Sequence, residues 1–137
     1  MHMTMAELQQ YLADIFPAFD ARILSLDTDG AVLELTVNEK HLRPGGTVSG
    51  PTLMGLADAA MYAAILGRIG RVALAVTTNL NISFYRKPEP GVIRAEVRLL
   101  KLGKRLAVGD VLLFNNDSTD SVAHASVTYS IPPSQAD

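Results

Sequence analysis

The sequence contains no cysteine and carries almost no net charge. Without cysteine, a disulfide framework, a zinc site built from thiolates and a cysteine nucleophile are all excluded. Lys and Arg number 12 against 14 Asp and Glu, which gives a formal charge of -2. Such a chain has no overall positive field to hold a polyanion, so we expect no nucleic acid among its partners.

Metal ligands and membrane signals are also scarce. His41 and His124 have no carboxylate at metal-ligand spacing, so we predict no metal site. The N-terminus lacks the basic start and the continuous apolar core of a secretory signal. Residues 48–67 are long enough to cross a bilayer, but they contain Pro51 and a central Asp58. They therefore predict a buried helix, no membrane partner and the cytoplasm as the default location.

Length and composition predict a single domain. The 137 residues, 48% of them hydrophobic, suffice for one sizeable core. The hydrophobic periodicity predicts an N-terminal helix over residues 4–16, capped by Thr4, and a central helix over about 50–68. The predicted strands are 21–27, 31–37, 72–85, 92–101, 106–115 and 121–131, the last four in a meander, and a polar tail follows over 132–137.

The predicted central helix is apolar on nearly every face. Its larger apolar residues are spaced by threes and fours, and small residues fill much of the remainder: Leu53, Leu56, Ala57, Ala60, Met61, Ala64 and Ile65, with Gly55, Ala59 and Ala63. A helix without a polar face must be surrounded, and the only material in the rest of the chain that can wrap around it is β-sheet. We therefore predict an α+β hotdog fold, a curved antiparallel sheet wrapped around one long central helix.

Within that architecture, residues 41–60, HLRPGGTVSGPTLMGLADAA, resemble the hotdog thioesterases of the phenylacetate-pathway type, in the 4-hydroxybenzoyl-CoA thioesterase superfamily. Members of that family show a Pro-Gly turn, then Val-His-Gly-Gly at the start of the central helix, then Leu-Ala-Asp two turns inside it. Asp58 falls on the acidic position. Residues 77–88 and 99–108 are similar to the family as well.

The sequence departs from the family pattern at three positions around the helix start. Ser49 stands at the histidine, Pro51 at the second glycine, and Arg43 at the asparagine ahead of the Pro-Gly turn. Ser49 is either the cap of the helix or a group that orients substrate or water. Arg43 is either an exposed loop residue or a partner for Asp58 or for a negatively charged acyl group.

The resemblance implies an acyl-CoA thioesterase that needs no cofactor, because CoA is part of its substrate. Asp58 is the only charged residue between Arg43 and Arg68, and a buried carboxylate must be paired, protonated or used. The family role is that of a nucleophile or a general base, and the alternative is a polar plug without catalytic function. Gly50 is the predicted amide donor to the carbonyl oxygen, because it opens the central helix.

The remaining predicted site residues concern the partner subunit and the nucleotide end of CoA. Thr77 lies on the polar row of its predicted strand, where it either reaches a partner subunit's site or serves only as a strand former. A homodimer, or a dimer of dimers, is expected because the sheet leaves an open strand edge. Five basic residues are predicted to contact the CoA phosphates: Arg86, Lys87, Lys101, Lys104 and Arg105. The alternative for each of them is an ordinary solvated residue in a turn.

Two other functions fit parts of the pattern. A hotdog module that binds acyl-CoA or acyl-carrier protein without turnover would explain the missing histidine and asparagine. A hotdog dehydratase ranks lower, because those enzymes rely on a histidine where this chain has Ser49.

Overall fold

The computed structural model describes residues 1–133, and most of the predicted polar tail, 134–137, lies outside the described residues. Two α-helices and six β-strands follow one another, with a short 3-10 turn at Glu39–His41 before the second helix. Their bounds are α1 (Met5–Ile15), β1 (Arg22–Asp27), β2 (Gly30–Thr36), α2 (Gly50–Ile69), β3 (Val76–Phe84), β4 (Val92–Leu102), β5 (Leu106–Asn115) and β6 (Ser121–Ser130).

The six strands form one antiparallel sheet in the order β1-β2-β4-β5-β6-β3. Helix α2 packs against every one of these strands, so the sheet encloses it. This arrangement confirms the predicted hotdog fold, with an antiparallel sheet around a single long helix.

The predicted meander of the last four strands is wrong for β3. Only β4, β5 and β6 are consecutive neighbours, whereas β3 pairs with β6 at the far edge of the sheet. The link from β3 to β4 contains Pro88 and Pro90, which have no amide hydrogen and fix an extended backbone that cannot form a tight hairpin. The link instead crosses beside the start of α2, where the Val48 N–H donates to the Pro88 carbonyl over 2.9 Å.

The predicted element bounds hold to within one residue except at the start of β3. Residues 72–75, predicted as strand, form a turn in which the Ala75 N–H donates to the Val72 carbonyl over 3.1 Å. Strand β3 therefore begins at Val76.

Helix α2 supplies the centre of the core. Eleven of its 20 residues are buried, and it is the one helix among residues 1–133 long and apolar enough to cross a membrane. Its apolar surface is accounted for by burial inside the sheet, as predicted for residues 48–67. Gly109 on β5 allows the close approach, since a Cβ there would come within 2.7 Å of the Met61 sulfur.

Helix α1 covers the β1 edge of the sheet. A capping box between Thr4 and Glu7 fixes its first turn, and Leu8 and Leu12 are buried. From the same helix, the Gln9 side chain donates to the Ala21 carbonyl over 3.0 Å and accepts from the Ile23 N–H over 2.8 Å. A side-chain amide thus takes the place of a neighbouring strand at this edge.

Candidate active site

Asp58 lies in the middle of α2 and is held there by two hydroxyl groups. Thr77 on β3 donates to Asp58 Oδ1 over 2.5 Å, and Tyr129 on β6 donates to the same oxygen over 2.8 Å. The Tyr129 hydroxyl also lies 3.1 Å from the main-chain carbonyl oxygen of Asp58. The carboxylate is therefore fixed from the two strands at one edge of the sheet.

A β-bulge explains why Thr77 faces the helix. The predicted polar row placed Thr77 with Asn79, on the side of β3 away from the apolar residues. The pairing of β3 with β6 shifts by one residue between Thr77 and Asn79, and such an insertion reverses which face the following residues take. Leu80 and Ile82 then pack on the core, while Thr77 points to Asp58 of its own chain.

Tyr129 was not predicted as a site residue. Its position in the alternation of β6 is that of a core residue, and its side chain is indeed buried. Burial raises the pKa of Tyr129 above its ordinary value, and the neighbouring charge of Asp58 raises it further, although the Thr77 hydroxyl opposes them. The phenol thus stays protonated and acts as a hydrogen-bond donor.

A cavity of about 490 Å³ opens beside this carboxylate. Its wall is mostly apolar and aromatic, with contributions from α1, α2 and the segment that joins α1 to β1. Residues that define it include Leu12, Phe16, Phe19, Gly55, Ala59 and Tyr62. The volume falls in the range of small-molecule pockets, and the small residues at 55 and 59 leave space next to Asp58.

The two oxygens of the Asp58 carboxylate differ in their surroundings. Within residues 1–133, both donors bind Oδ1 and no group bonds Oδ2. In the same part of the chain, no buried side-chain oxygen lacks a hydrogen-bond partner. Since Oδ2 has no partner, it is not buried. An accessible carboxylate oxygen can accept a proton or attack an electrophilic carbon.

The start of α2 is separate from Asp58 within one chain. Ser49 caps the helix, accepting from the Thr52 N–H over 3.3 Å, as one of its two predicted roles required. The Gly50 N–H makes no hydrogen bond within the described residues. Eight residues of helix rise place Gly50 about 12 Å from Asp58, so the two cannot act on one carbonyl group in the same protomer.

Arg43 does not contact Asp58 in the chain. It is exposed in a turn before α2, where its N–H donates to the Thr47 carbonyl over 2.8 Å. Gly50 itself lies against Phe84, whose ring a Cβ at position 50 would approach to 3.3 Å. The helix start therefore lies at the Phe84 end of β3, and Asp58 lies at the Thr77 end.

The five predicted phosphate contacts do not form one cluster in a single chain. Arg86 and Lys87 follow β3 at one end of the sheet, and Arg86 lies 3.8 Å from Asp120. The other three, Lys101, Lys104 and Arg105, surround the β4–β5 turn at the opposite end, roughly 25 Å away along the strands. All five side chains are exposed.

Both histidines that seemed isolated in the sequence contact carboxylates in the fold. His41 Nε2 lies 3.1 Å from Asp20 Oδ2, and His41 Nδ1 accepts from the Asn38 N–H over 2.9 Å. His124 Nε2 lies 3.0 Å from Asp110. His41 and Asp20 also border the cavity. No group of three His, Asp or Glu side chains that could hold a metal occurs among residues 1–133.

Comparison with known proteins places this site in a family. A family model described as the thioesterase superfamily matches residues 45–122. The crystal structure of a candidate thioesterase of Silicibacter sp. TM1040 is 48% identical, covering 96% of this chain and 93% of its own with a TM-score of 0.88. A variant of the phenylacetic acid degradation protein PaaI of Thermus thermophilus is 25% identical, covering 87% and 99% with a TM-score of 0.73.

A candidate esterase of Saccharolobus solfataricus is 28% identical over 119 residues, 85% of this chain and 78% of that protein. These matches and the hotdog fold define a hydrolase of the thioesterase class. Because the family model covers more than half of the 137 residues, the chain belongs to the thioesterase superfamily. The resemblance to the phenylacetate-pathway type is confirmed as well.

Proposed function

We propose that this protein hydrolyses acyl-CoA thioesters to a free acid and CoA, with Asp58 as the reacting carboxylate. The observation that carries the proposal is the position of Asp58, which borders the apolar cavity and has one oxygen that no group among residues 1–133 bonds. An acyl group in that cavity would bring its thioester carbonyl to the carboxylate. CoA enters as part of the substrate, so the reaction needs no further cofactor.

Two routes lead from this geometry to hydrolysis. As a general base, Asp58 takes a proton from water while the water oxygen bonds to the thioester carbon. As a nucleophile, Asp58 forms an anhydride with the acyl group, and water then opens it. In either route the carbon–sulfur bond breaks and CoA leaves as a thiolate, which is protonated afterwards. Both routes place negative charge on the carbonyl oxygen, so an N–H donor is needed opposite Asp58.

A second copy of the chain would supply that donor. In one protomer Gly50 lies at the Phe84 end of β3 and Asp58 at the Thr77 end. A two-fold axis that pairs β3 with its copy makes the two strands antiparallel. The Phe84 end of one protomer then lies beside the Thr77 end of the other. This brings Gly50 of the partner subunit towards Asp58 and completes the site.

The outer edge of β3, which no strand among residues 1–133 pairs with, supports such a dimer. Apolar side chains are exposed along and beside this strand, with Val76 at 53% and Phe84 at 49% of their full exposure. An open edge with apolar side chains is the kind of surface that pairs with another chain. The same two-fold axis would bring Arg86 and Lys87 to the end of the sheet where the partner's β4–β5 turn carries its basic residues, so that both groups could face CoA phosphates.

A thiol-release assay tests the proposal. The protein is incubated with short, medium, long and aromatic acyl-CoAs, and free CoA thiol is followed for wild type, Asp58→Ala and Asp58→Asn. We expect turnover of at least one class by wild type and a loss of roughly a hundredfold or more in both variants. Asp110→Asn is the matched control, since it changes a half-exposed carboxylate on the outer face of the sheet and should retain activity.

The outcomes separate the alternatives. Binding of acyl-CoA by wild type without thiol release would favour the binding module. Turnover that survives both substitutions of Asp58 would remove that residue from the mechanism and leave only the family assignment.

A further inference from the structure

The oxygen atoms of Asp58 are not equivalent, and Tyr129 is one reason. We propose that Tyr129 is a positioning residue for the reaction: its hydroxyl, together with that of Thr77, holds Oδ1 of Asp58 and leaves Oδ2 as the oxygen that reacts. The catalytic meaning of this inference rests on the proposed function, whereas the hydrogen bond itself can be measured without turnover.

The geometry restricts Asp58 to one orientation. The Tyr129 hydroxyl lies 2.8 Å from Oδ1 and 3.1 Å from the main-chain carbonyl oxygen of the same residue. The Tyr129 hydroxyl therefore contacts both the side chain and the main chain of Asp58. Thr77 reaches Oδ1 from β3 because of the bulge in that strand. With both donors on one oxygen, rotation of the carboxylate would break two charge-assisted hydrogen bonds at once.

The Tyr129 ring cannot easily move away. It is 3% exposed and stacks on Tyr62, with the ring centroids 5.9 Å apart and an angle of 27° between the planes. Tyr62 is itself fixed, because its hydroxyl donates to the Ala73 carbonyl over 2.9 Å and Phe16 packs edge-on against its ring. The donor on Tyr129 is thus preorganised by packing, which is how supporting residues make a site effective.

Tyr129 is a donor rather than an acid or base in this arrangement. Burial raises the pKa of its hydroxyl above the ordinary range, so the proton stays on the phenol oxygen throughout the reaction. The group can stabilise the ionised carboxylate and orient it. It cannot substitute for Asp58 as a proton acceptor.

Steady-state kinetics of Tyr129→Phe give the first test. This change removes one oxygen atom and keeps the stacked ring. We expect kcat for acyl-CoA hydrolysis to fall roughly tenfold to a hundredfold, the range for losing a hydrogen bond to a charged group. KM should change less than about twofold, because Tyr129 positions Asp58 and not the substrate. Tyr11→Phe, on α1 outside the cavity, should keep the wild-type kcat and KM.

A carboxyl titration gives a readout that needs no turnover. Aspartate labelled with ¹³C at the carboxyl carbon is followed by NMR as the pH changes, and the Asp58 signal is assigned by its absence in Asp58→Asn. Loss of a donor to the ionised form should move the midpoint of that signal to higher pH in Tyr129→Phe. Tyr62→Phe loses a hydroxyl that does not touch Asp58, so the wild-type midpoint should remain.

The other titratable groups that line the cavity, Asp20, His41 and Tyr62, are present in wild type and in Tyr129→Phe alike, so their contribution cancels in that comparison. Unchanged kcat together with an unchanged midpoint in Tyr129→Phe would overturn the proposal. An equal shift of the midpoint in Tyr62→Phe would overturn it too, because it would assign the effect to cavity polarity.

If Tyr129→Phe does not fold, Thr77→Val tests the same arrangement from the other donor, with Thr77→Ser as the variant that restores it. The proposal then requires a raised Asp58 midpoint in Thr77→Val and the wild-type midpoint in Thr77→Ser. An inactive wild type with a raised Asp58 midpoint in Tyr129→Phe would refute the proposed function and keep the hydrogen-bonded arrangement.

Discussion

The two edges of the sheet differ in whether another element covers them. At the β1 edge, helix α1 lies over the strand and the Gln9 amide bonds the backbone at Ala21 and Ile23. At the β3 edge, no element among residues 1–133 covers the strand, and Val76 and Phe84 remain about half exposed. One edge is closed by the chain itself, and the other is the edge that we propose pairs with a second copy.

The candidate site lies at the open edge. Thr77, one of the two donors to Asp58, belongs to β3, and Gly50 at the start of α2 lies against Phe84 at the other end of the same strand. The uncovered strand therefore links the two halves of the proposed machinery. The proposed dimer would cover this edge strand, which would otherwise promote aggregation.

The largest effect should come from blocking the open edge. In Val76→Lys/Phe84→Lys, antiparallel pairing of β3 with its copy would bring four added lysines to one pair of strands, and lysines on an edge strand oppose such pairing. We expect a monomer and a loss of thioesterase activity of roughly a hundredfold, because the amide donor is lost with the partner. Sedimentation velocity and thiol release measure the two effects.

The matched control for that experiment is Ser25→Lys on the exposed face of β1, which should leave both the dimer and the activity in place. A double-lysine variant that stays dimeric would show that β3 is not the contact between protomers.

An intermediate effect is expected at the closed edge. Gln9→Ala removes two partly buried hydrogen bonds between α1 and the β1 backbone. The free energy of unfolding in urea should fall by about 1–2 kcal/mol, with no change in the association state. Gln10→Ala removes a hydrogen bond on the exposed face of the same helix, and it should cost less than about 0.5 kcal/mol. Equal losses in both variants would argue against a special role for Gln9.

The smallest effect concerns the cap that anchors α1. Hydrogen bonds from the Thr4 backbone N–H, and then from its side chain, lower the pKa of Glu7 below its ordinary value of 4.5. Because the pKa is lower in the folded state, the stabilisation is complete above pH 4.5 and is lost as the pH falls through the folded-state value.

Glu7→Gln keeps a side-chain acceptor for the capping box but cannot titrate. At neutral pH we therefore expect wild type to have a slightly higher thermal unfolding midpoint than Glu7→Gln. This difference between the two midpoints should shrink as the pH becomes acidic. An unchanged difference from neutral to strongly acidic pH would contradict the assigned cause.

The sequence was enough to predict the architecture but not all of the strand order. The apolar surface of α2 could be removed from water only if the sheet enclosed the helix. Turn-forming residues marked most of the strand ends. The position of β3 depends on the long link through Pro88 and Pro90, and no local pattern specifies where such a link ends. Pairing between distant strands is decided by the packing of the whole domain.

The candidate site was predictable only where a single residue stood out. Asp58 was conspicuous as the one charge in an apolar helix. The bulge between Thr77 and Asn79 has no sequence signal, so the face of Thr77 was assigned wrongly. Tyr129 follows the alternation of a core strand, and its hydroxyl partner is 71 residues away in the chain. The contacts of His41 and His124 with carboxylates likewise arise only from the fold.

The sharpest test of the two-protomer account is activity in a mixture of two inactive variants. Asp58→Asn lacks the carboxylate and Gly50→Pro lacks the amide hydrogen, while Gly50→Ala keeps it as a control. After the two are unfolded together and refolded at equal amounts, half of the dimers are mixed and each contains one intact site, so about a quarter of wild-type activity should return. If Asp58 and Gly50 act within the same protomer, the mixture will remain as inactive as its two components.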